Sequence, residues 1–329
     1  MIYLDNHTTT RLCKAAFEKL QEYQEDSVGT TLQWHQMGKE SRNLKERYSP
    51  YIADFVGASL EEDSLVFYSS LSEAKYALID TLRASGKTHY LTAPSEPFPV
   101  SISRTIPMNI DGKLDLEKLQ AAISPKTALI AISWADPITG VIQPVEEIIE
   151  ICKAWEIPLY VNASYILGKI PFSIQESNID YLAFEGGMIH GPKSSAIMVA
   201  KKKQLPSSIK DIASFVALAV ACQQANLFLD KMNVEIARLK HRLMTIAEPL
   251  FSKSPTLPNV VVIPFPGLWH ERHLYFLDQK GVLATSAAVG VRLAGYKPDI
   301  ANTSISFVLS RYTTEEEIEK VCGIITVKK

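Results

Sequence analysis

Apolar positions along the 329-residue chain follow two alternating rhythms. Short segments at 65–68, 88–92, 158–161, 181–184 and 196–200 read as strands, and the continuous apolar run at 127–134 as a strand buried on both faces. Between and before them, 12–26, 42–56, 114–123 and 145–155 place apolar residues at helical spacing. That alternation, from about residue 65 to 200, predicts successive βαβ units and a mainly parallel sheet. The chain then turns helical. Ile212, Phe215, Val216, Ala219 and Val220 form one apolar stripe, and Ile236, Leu239, Leu243, Ile246 and Leu250 a second. Both read as core faces of long connecting helices. Beyond Ser252 the pattern shifts to an apolar run at 258–264, a helix around 274–280, a strand at 304–309 and a last helix from Thr314. This predicts a small α+β domain.

Local signals sharpen the boundaries. Ser70 and Glu73, and again Thr314 and Glu317, have capping-box spacing, so a helix should start at each. Asp111-Gly112 is a turn. The run 181–184 breaks into Gly186-Gly187 and then Gly191-Pro192, the mark of a buried strand delivering a tight turn.

Composition narrows the classes. A 47% hydrophobic content can fill a large core and suits two domains. A net charge of -2 gives no electrostatic reason to expect nucleic acid or an anionic membrane as partner. Lys201-Lys202-Lys203 reads as a solvated strand end. No run is long and apolar enough to span a bilayer, and the N-terminus turns polar at Asp5, unlike a signal peptide. Cys13, Cys152, Cys222 and Cys322 lie far apart with no CxxC pair, as expected of buried free thiols in a reducing cytoplasm. His270 and His273 are two candidate ligands where zinc needs three or four, so the expectation is a surface helix start and no metal.

The stretch 181–194 resembles the cofactor turn of cysteine desulfurases, the sulfur-mobilising branch of the class V aminotransferases. Those proteins read Ser-Gly-His-Lys, then an aromatic residue and Gly-Pro-Lys-Gly; their lysine forms a Schiff base with pyridoxal phosphate (PLP). The match puts Met188 at the lysine, Gly187 at the histidine and Glu185 at the serine. The resemblance runs through the chain at similar spacing. The opening 2–10 matches the family's first strand and turn, with His7 replacing an alanine. At 69–73, where the family holds the PLP phosphate with a threonine hydroxyl and backbone N–H groups, Ser72 is the candidate and Ser70 stands at a glycine. Pro97 takes the place of the ring-stacking histidine, with Phe98 beside it. Pro137 replaces the asparagine that touches the ring oxygen, inside a kept frame of Gly140, Gln143 and Pro144. Asn162 replaces the aspartate that keeps the pyridine nitrogen protonated, and Tyr165 the glutamine at the ring oxygen, ahead of Gly168, Lys169 and Pro171. Ser306 stands at the carboxylate-binding arginine; Arg311 matches a second, framework arginine. The segment 281–295 carries no counterpart of the cysteine that accepts sulfur. A link at 205–208 stands where the family has a glycine-rich loop reaching the neighbouring subunit.

The resemblance implies a fold type I PLP-dependent transferase of the aspartate aminotransferase kind. Its large domain, 12–235, would hold a mainly parallel seven-stranded sheet; residues 1–11 and 236–329 would form the small domain. It also implies a homodimer. The family cofactor is PLP, yet no covalently bound cofactor is expected here, because Met188 has no amine. The expected function is therefore a non-catalytic homologue acting by binding. Its partner would be a second copy, an active desulfurase, or a sulfur-transfer or iron–sulfur scaffold protein. Two alternatives stand beside it. One is a surviving PLP enzyme that recruits Lys193, the only amine near Met188 along the sequence. The other is non-covalent binding of a small ligand in the old cleft through Ser72, Glu185 and Tyr165.

Overall fold

The run Thr127–Ser133 forms a strand buried at every residue, because helices cover both faces of the sheet it joins. In the computed structural model, which describes residues 1–26, 29–99, 103–203, 205 and 208–326, that sheet has seven strands. Their order is Ser64–Tyr68, Ala196–Ala200, Tyr181–Glu185, Leu159–Asn162, Thr127–Ser133, His89–Thr92 and Ser103–Thr105. Ala196–Ala200 runs antiparallel to both its neighbours and every other pairing is parallel. The sheet is thus the mainly parallel, seven-stranded one that the pattern and the resemblance imply. The edge strand Ser103–Thr105 was absent from the apolar pattern, being short, polar and largely exposed. Two residues of the link at 205–208, Pro206 and Ser207, lie outside the described residues.

Strand alternation divides the core. Leu182, Phe184, Val161 and Ile132 face helices Gln36–Val56 and Ile212–Leu227, whereas Tyr160, Tyr181, Ala183 and Leu129 face helix Leu71–Leu82. The stripe expected at 212–220 is a helix buried on all sides from Ile212 to Cys222. Helices Lys14–Asp26 and Gln36–Val56 pack against it, so its outer face is also dry.

A second sheet of Thr285–Ser286, Ser304–Val308 and Val260–Pro264 belongs to the C-terminal region. The first residues join the same region, Ile2 and Tyr3 pairing in parallel with Val282 and Leu283. Leu4, Ile236, Leu239, Leu243, Ile263, Phe307 and Val321 share its core.

Several expectations need correction. The helix expected from Arg42 starts at Gln36, where the His35 ring nitrogen accepts from the Gly38 N–H; the polar residues of that first turn hid it. The helix carrying the second stripe ends at Met244, and Leu250 instead donates its N–H to Val262. Lys201 is not a freely solvated end: its ammonium donates to the carbonyls of Ile174 (2.9 Å), Gln175 (3.2 Å) and Ser177. His273 is buried, its ring 4.2 Å from that of Phe265. All four cysteines are free and buried.

Candidate functional site

In a parallel sheet with helices on both faces, the place for a ligand is outside the carboxyl ends of the strands. Those ends deliver Glu96 (after His89–Thr92), Asp136 (after Thr127–Ser133), Asn162 and Glu185. Three of the four are acids. The turn Gly186–Met188 follows Glu185, and packing explains its first glycine. A Cβ on Gly186 would lie 2.2 Å from Ser195 Oγ and 2.7 Å from the Pro192 carbonyl oxygen. Thr10 fixes the turn from the N-terminal segment: its N–H (3.0 Å) and hydroxyl (2.7 Å) both donate to the Gly187 carbonyl, and its hydroxyl accepts from the His190 N–H (2.9 Å). Met188 is buried within this turn. Gly187 has more room, since a Cβ there meets nothing closer than 3.6 Å.

Glu96 is 2% exposed and holds the cluster together. Its Oε1 lies 2.5 Å from the Lys75 ammonium, and its Oε2 accepts from the Asn162 amide at 2.7 Å. Asn162 Oδ1 in turn accepts from the Ser164 N–H at 3.0 Å, so both ends of this amide have partners within the chain. Lys75 also donates to the Pro97 carbonyl at 3.0 Å and lies over the Phe98 ring. Burial pushes the Glu96 carboxyl up; Lys75 and Asn162 pull it down, and Glu185 adds to the rise. Glu185 behaves alike: burial raises it, while Lys75 and the N–H of Leu71 counteract. Leu71 is the first residue of helix Leu71–Leu82, so an internal carboxylate sits at that helix's positive end. Tyr165 is half-buried, and its hydroxyl is pushed up by burial and by the charges of Glu185, Glu96 and Asp136. Asp136 closes its own turn, accepting from Thr139 N–H (2.7 Å), Thr139 hydroxyl (2.9 Å) and Ile138 N–H (3.0 Å), with Pro137 between them.

The remaining sequence candidates are placed as follows. Ser72 is exposed on the first helical turn; Ser70 is the helix cap, accepting from the Glu73 N–H at 3.2 Å. Pro97 is exposed, and Phe98 is core, packed on Tyr90 and Tyr160. Ser306 is fully buried and donates to the Ile138 carbonyl at 2.6 Å. Lys193 is exposed, and it is not the only amine near Met188: Lys169 Nζ lies 3.4 Å from the Met188 carbonyl oxygen. Sequence reasoning named neither Lys75 nor Asp136 as a site residue. The one signal was the acid at 96, which needs a cation once buried.

Comparison with known proteins agrees with this fold. The Aminotransferase class-V family profile matches residues 101–213. A cysteine desulfurase of Klebsiella pneumoniae is 27% identical, over 98% of this chain and 91% of its own length. The cysteine desulfurase NifS of Azotobacter vinelandii is 24% identical, over 97% of this chain and 90% of its own. The first alignment runs over 369 residues against 329 in the chain, so that relative carries segments this one lacks. Among solved structures, a NifS-like protein superposes with a TM-score of 0.89 at 24% identity, covering 99% of this chain and 98% of its own. The apo cysteine desulfurase of Thermococcus onnurineus superposes with a TM-score of 0.80 at 20% identity, covering 99% and 94%.

The fold is that of the type I PLP-dependent transferases. Within that fold the chain is similar to the class V aminotransferases and, among them, to the NifS-like cysteine desulfurases, a family that depends on PLP.

Proposed function

We propose that this chain is a catalytically silent member of the desulfurase branch that acts by binding rather than by PLP chemistry. The observation that carries the reading is the pairing of Met188 with Glu185. A thioether cannot capture an aldehyde, and a carboxylate already faces the helix end suited to a phosphate. Two unit charges 4 Å apart repel by about 4 kcal/mol at an effective dielectric of 20, so a phosphate would meet Glu185 as an opponent. The other ring contacts point the same way. The Asn162 amide is engaged by Glu96 and Ser164, and Ser306, which stands at the family's carboxylate arginine, is bound to Ile138. These residues do not fit the family cofactor, and no reaction step is routed through it.

Retained framework with altered chemistry supports a role in assembly. We propose a homodimer, or a heteromer with an active desulfurase or with a sulfur-transfer or iron–sulfur scaffold protein. Purified chain incubated with PLP and then borohydride is expected to stay colourless and unmodified. Tagged chain is expected to co-purify a second copy or one such partner. A yellow, borohydride-fixed adduct on Lys193 or Lys169 would instead establish the enzyme reading, and a purely monomeric chain with no partner would remove the assembly role.

A further inference from the structure

Behind the Met188 turn lies a small cavity of about 20 Å³, lined by Asn6, Lys169, His190, Asn259, Ser310 and Arg311 among others. That is room for a single water-sized species. Arg311 is 3% exposed, and its Nε and Nη2 have no hydrogen-bond partner. A guanidinium keeps its proton under all ordinary conditions, so unlike a lysine it cannot escape burial by becoming neutral. The faces of Phe228 and Tyr312, 4.9 and 5.3 Å from its central carbon, supply partial compensation but leave the N–H groups unsatisfied.

The neighbours do not offset this charge. The Lys169 ammonium donates only to carbonyls, those of Ser164 and Met188. His190 Nδ1 pairs with the Arg11 carbonyl at 2.7 Å. Among the described residues no Asp or Glu forms an ion pair with Arg311, Lys169 or His190. Burial and the Arg311 charge push Lys169 down to about 7, and burial, Arg311 and Lys169 push His190 down to about 3. On the strand-end side, by contrast, Lys75 is paired with the buried Glu96.

We propose that the cavity binds one halide-sized monovalent anion, chloride in ordinary solution, held by the free Arg311 N–H groups. The ion neutralises a cationic pocket that the chain's own carboxylates leave unmatched. It contacts the N-terminal segment, the Gly186–Met188 turn and the Ser310–Arg311 loop, all of which line the cavity. The competing occupant is water, for which the unpartnered Asn259 Oδ1 is an argument, since an acceptor needs a donor. The two are separable by experiment.

Thermal unfolding of the full chain in sodium chloride or bromide, against sodium gluconate at matched ionic strength, should show a saturable rise in midpoint of about 2–4 °C. Arg311→Met should lose that halide dependence. Equal midpoints in halide and gluconate, or the same halide response in Arg311→Met, would overturn the proposal. If Arg311→Met does not fold, crystals of the unaltered chain grown in bromide decide the matter. An anomalous peak in contact with Arg311 Nε or Nη2 supports the site, and a water without anomalous signal there refutes it.

Discussion

Two charged pockets flank the Gly186–Met188 turn, and they are balanced in opposite ways. On the strand-end side, Lys75 pairs with Glu96 and its charge also acts on Glu185, so the chain supplies both signs of charge. Behind the turn, Arg311, Lys169 and His190 meet without a carboxylate. The strand-end side holds its own anions. The far side does not. A buried cation matched from within makes a site that no longer needs a ligand, whereas an unmatched one still asks for an external partner.

The sharpest way to break this contrast is to remove the internal cation. Lys75→Met leaves Glu96 buried and unpaired, and should destabilise the chain by about 3–5 kcal/mol in denaturant unfolding at neutral pH. Adding Glu96→Gln should recover most of that loss. A loss below about 1 kcal/mol would mean the pocket is not balanced by this pair.

Stability against pH should carry opposite signs for the two pockets. Lys169 is held at about 7 against an ordinary 10.5. Between those values the unfolded chain binds a proton that the folded chain does not, so stability rises with pH across that window, by at most about 1.4 kcal/mol per pH unit. Below the lower value its penalty is fully present. Lys169→Met should reduce the rise, most clearly just above pH 7, while Lys240, held down to about 8 by burial, keeps a contribution at higher pH. Glu96 and Glu185 are raised above the ordinary 4.5, so the folded chain retains protons the unfolded chain has lost. Their contribution falls as pH climbs from 4.5 through their folded values. Denaturant midpoints across the pH range, with Lys169→Met and Glu96→Gln as probes, would separate the two trends.

Smaller effects test the helix ends. Glu185→Gln removes the charge at the start of helix Leu71–Leu82; because burial outweighs the helix end and Lys75, the change should leave stability unaltered or raise it slightly at neutral pH. Helix Glu315–Thr326 serves as the control. There Thr314 and Glu317 close a capping box on each other, the Thr314 N–H donating to Glu317 (3.0 Å) and the Glu317 N–H to Thr314 (3.2 Å). Thr314→Ala should cost about 0.5–1 kcal/mol, without changing the response to halide or PLP.

The contrast also marks what the sequence discloses. Capping residues, the glycine turn and the buried strands were legible because each depends on neighbours a few residues away. Ser70, Gly186 and Thr127–Ser133 are examples. The Ser70 cap still differs from its expected form: Glu73 reaches back to the N–H and hydroxyl of Ser69 rather than to the cap residue. The charge balance was not legible. Asn162 and Glu96 are 66 residues apart in the chain and touch only because the loop after His89–Thr92 reaches past the intervening strand Thr127–Ser133 to the end of Leu159–Asn162. Arg311 could be read as a framework residue, but its missing partner could not, since that depends on everything the fold places around it. His273 and Lys201 looked like surface residues for the same reason.

The claim on which the rest depends is that this turn no longer captures PLP. The direct measurement is the visible spectrum of the full chain titrated with PLP, followed by borohydride reduction and intact mass. The account predicts the sum of the separate spectra and an unchanged mass. A new visible band, with a coenzyme-sized mass increase fixed by borohydride, would contradict it.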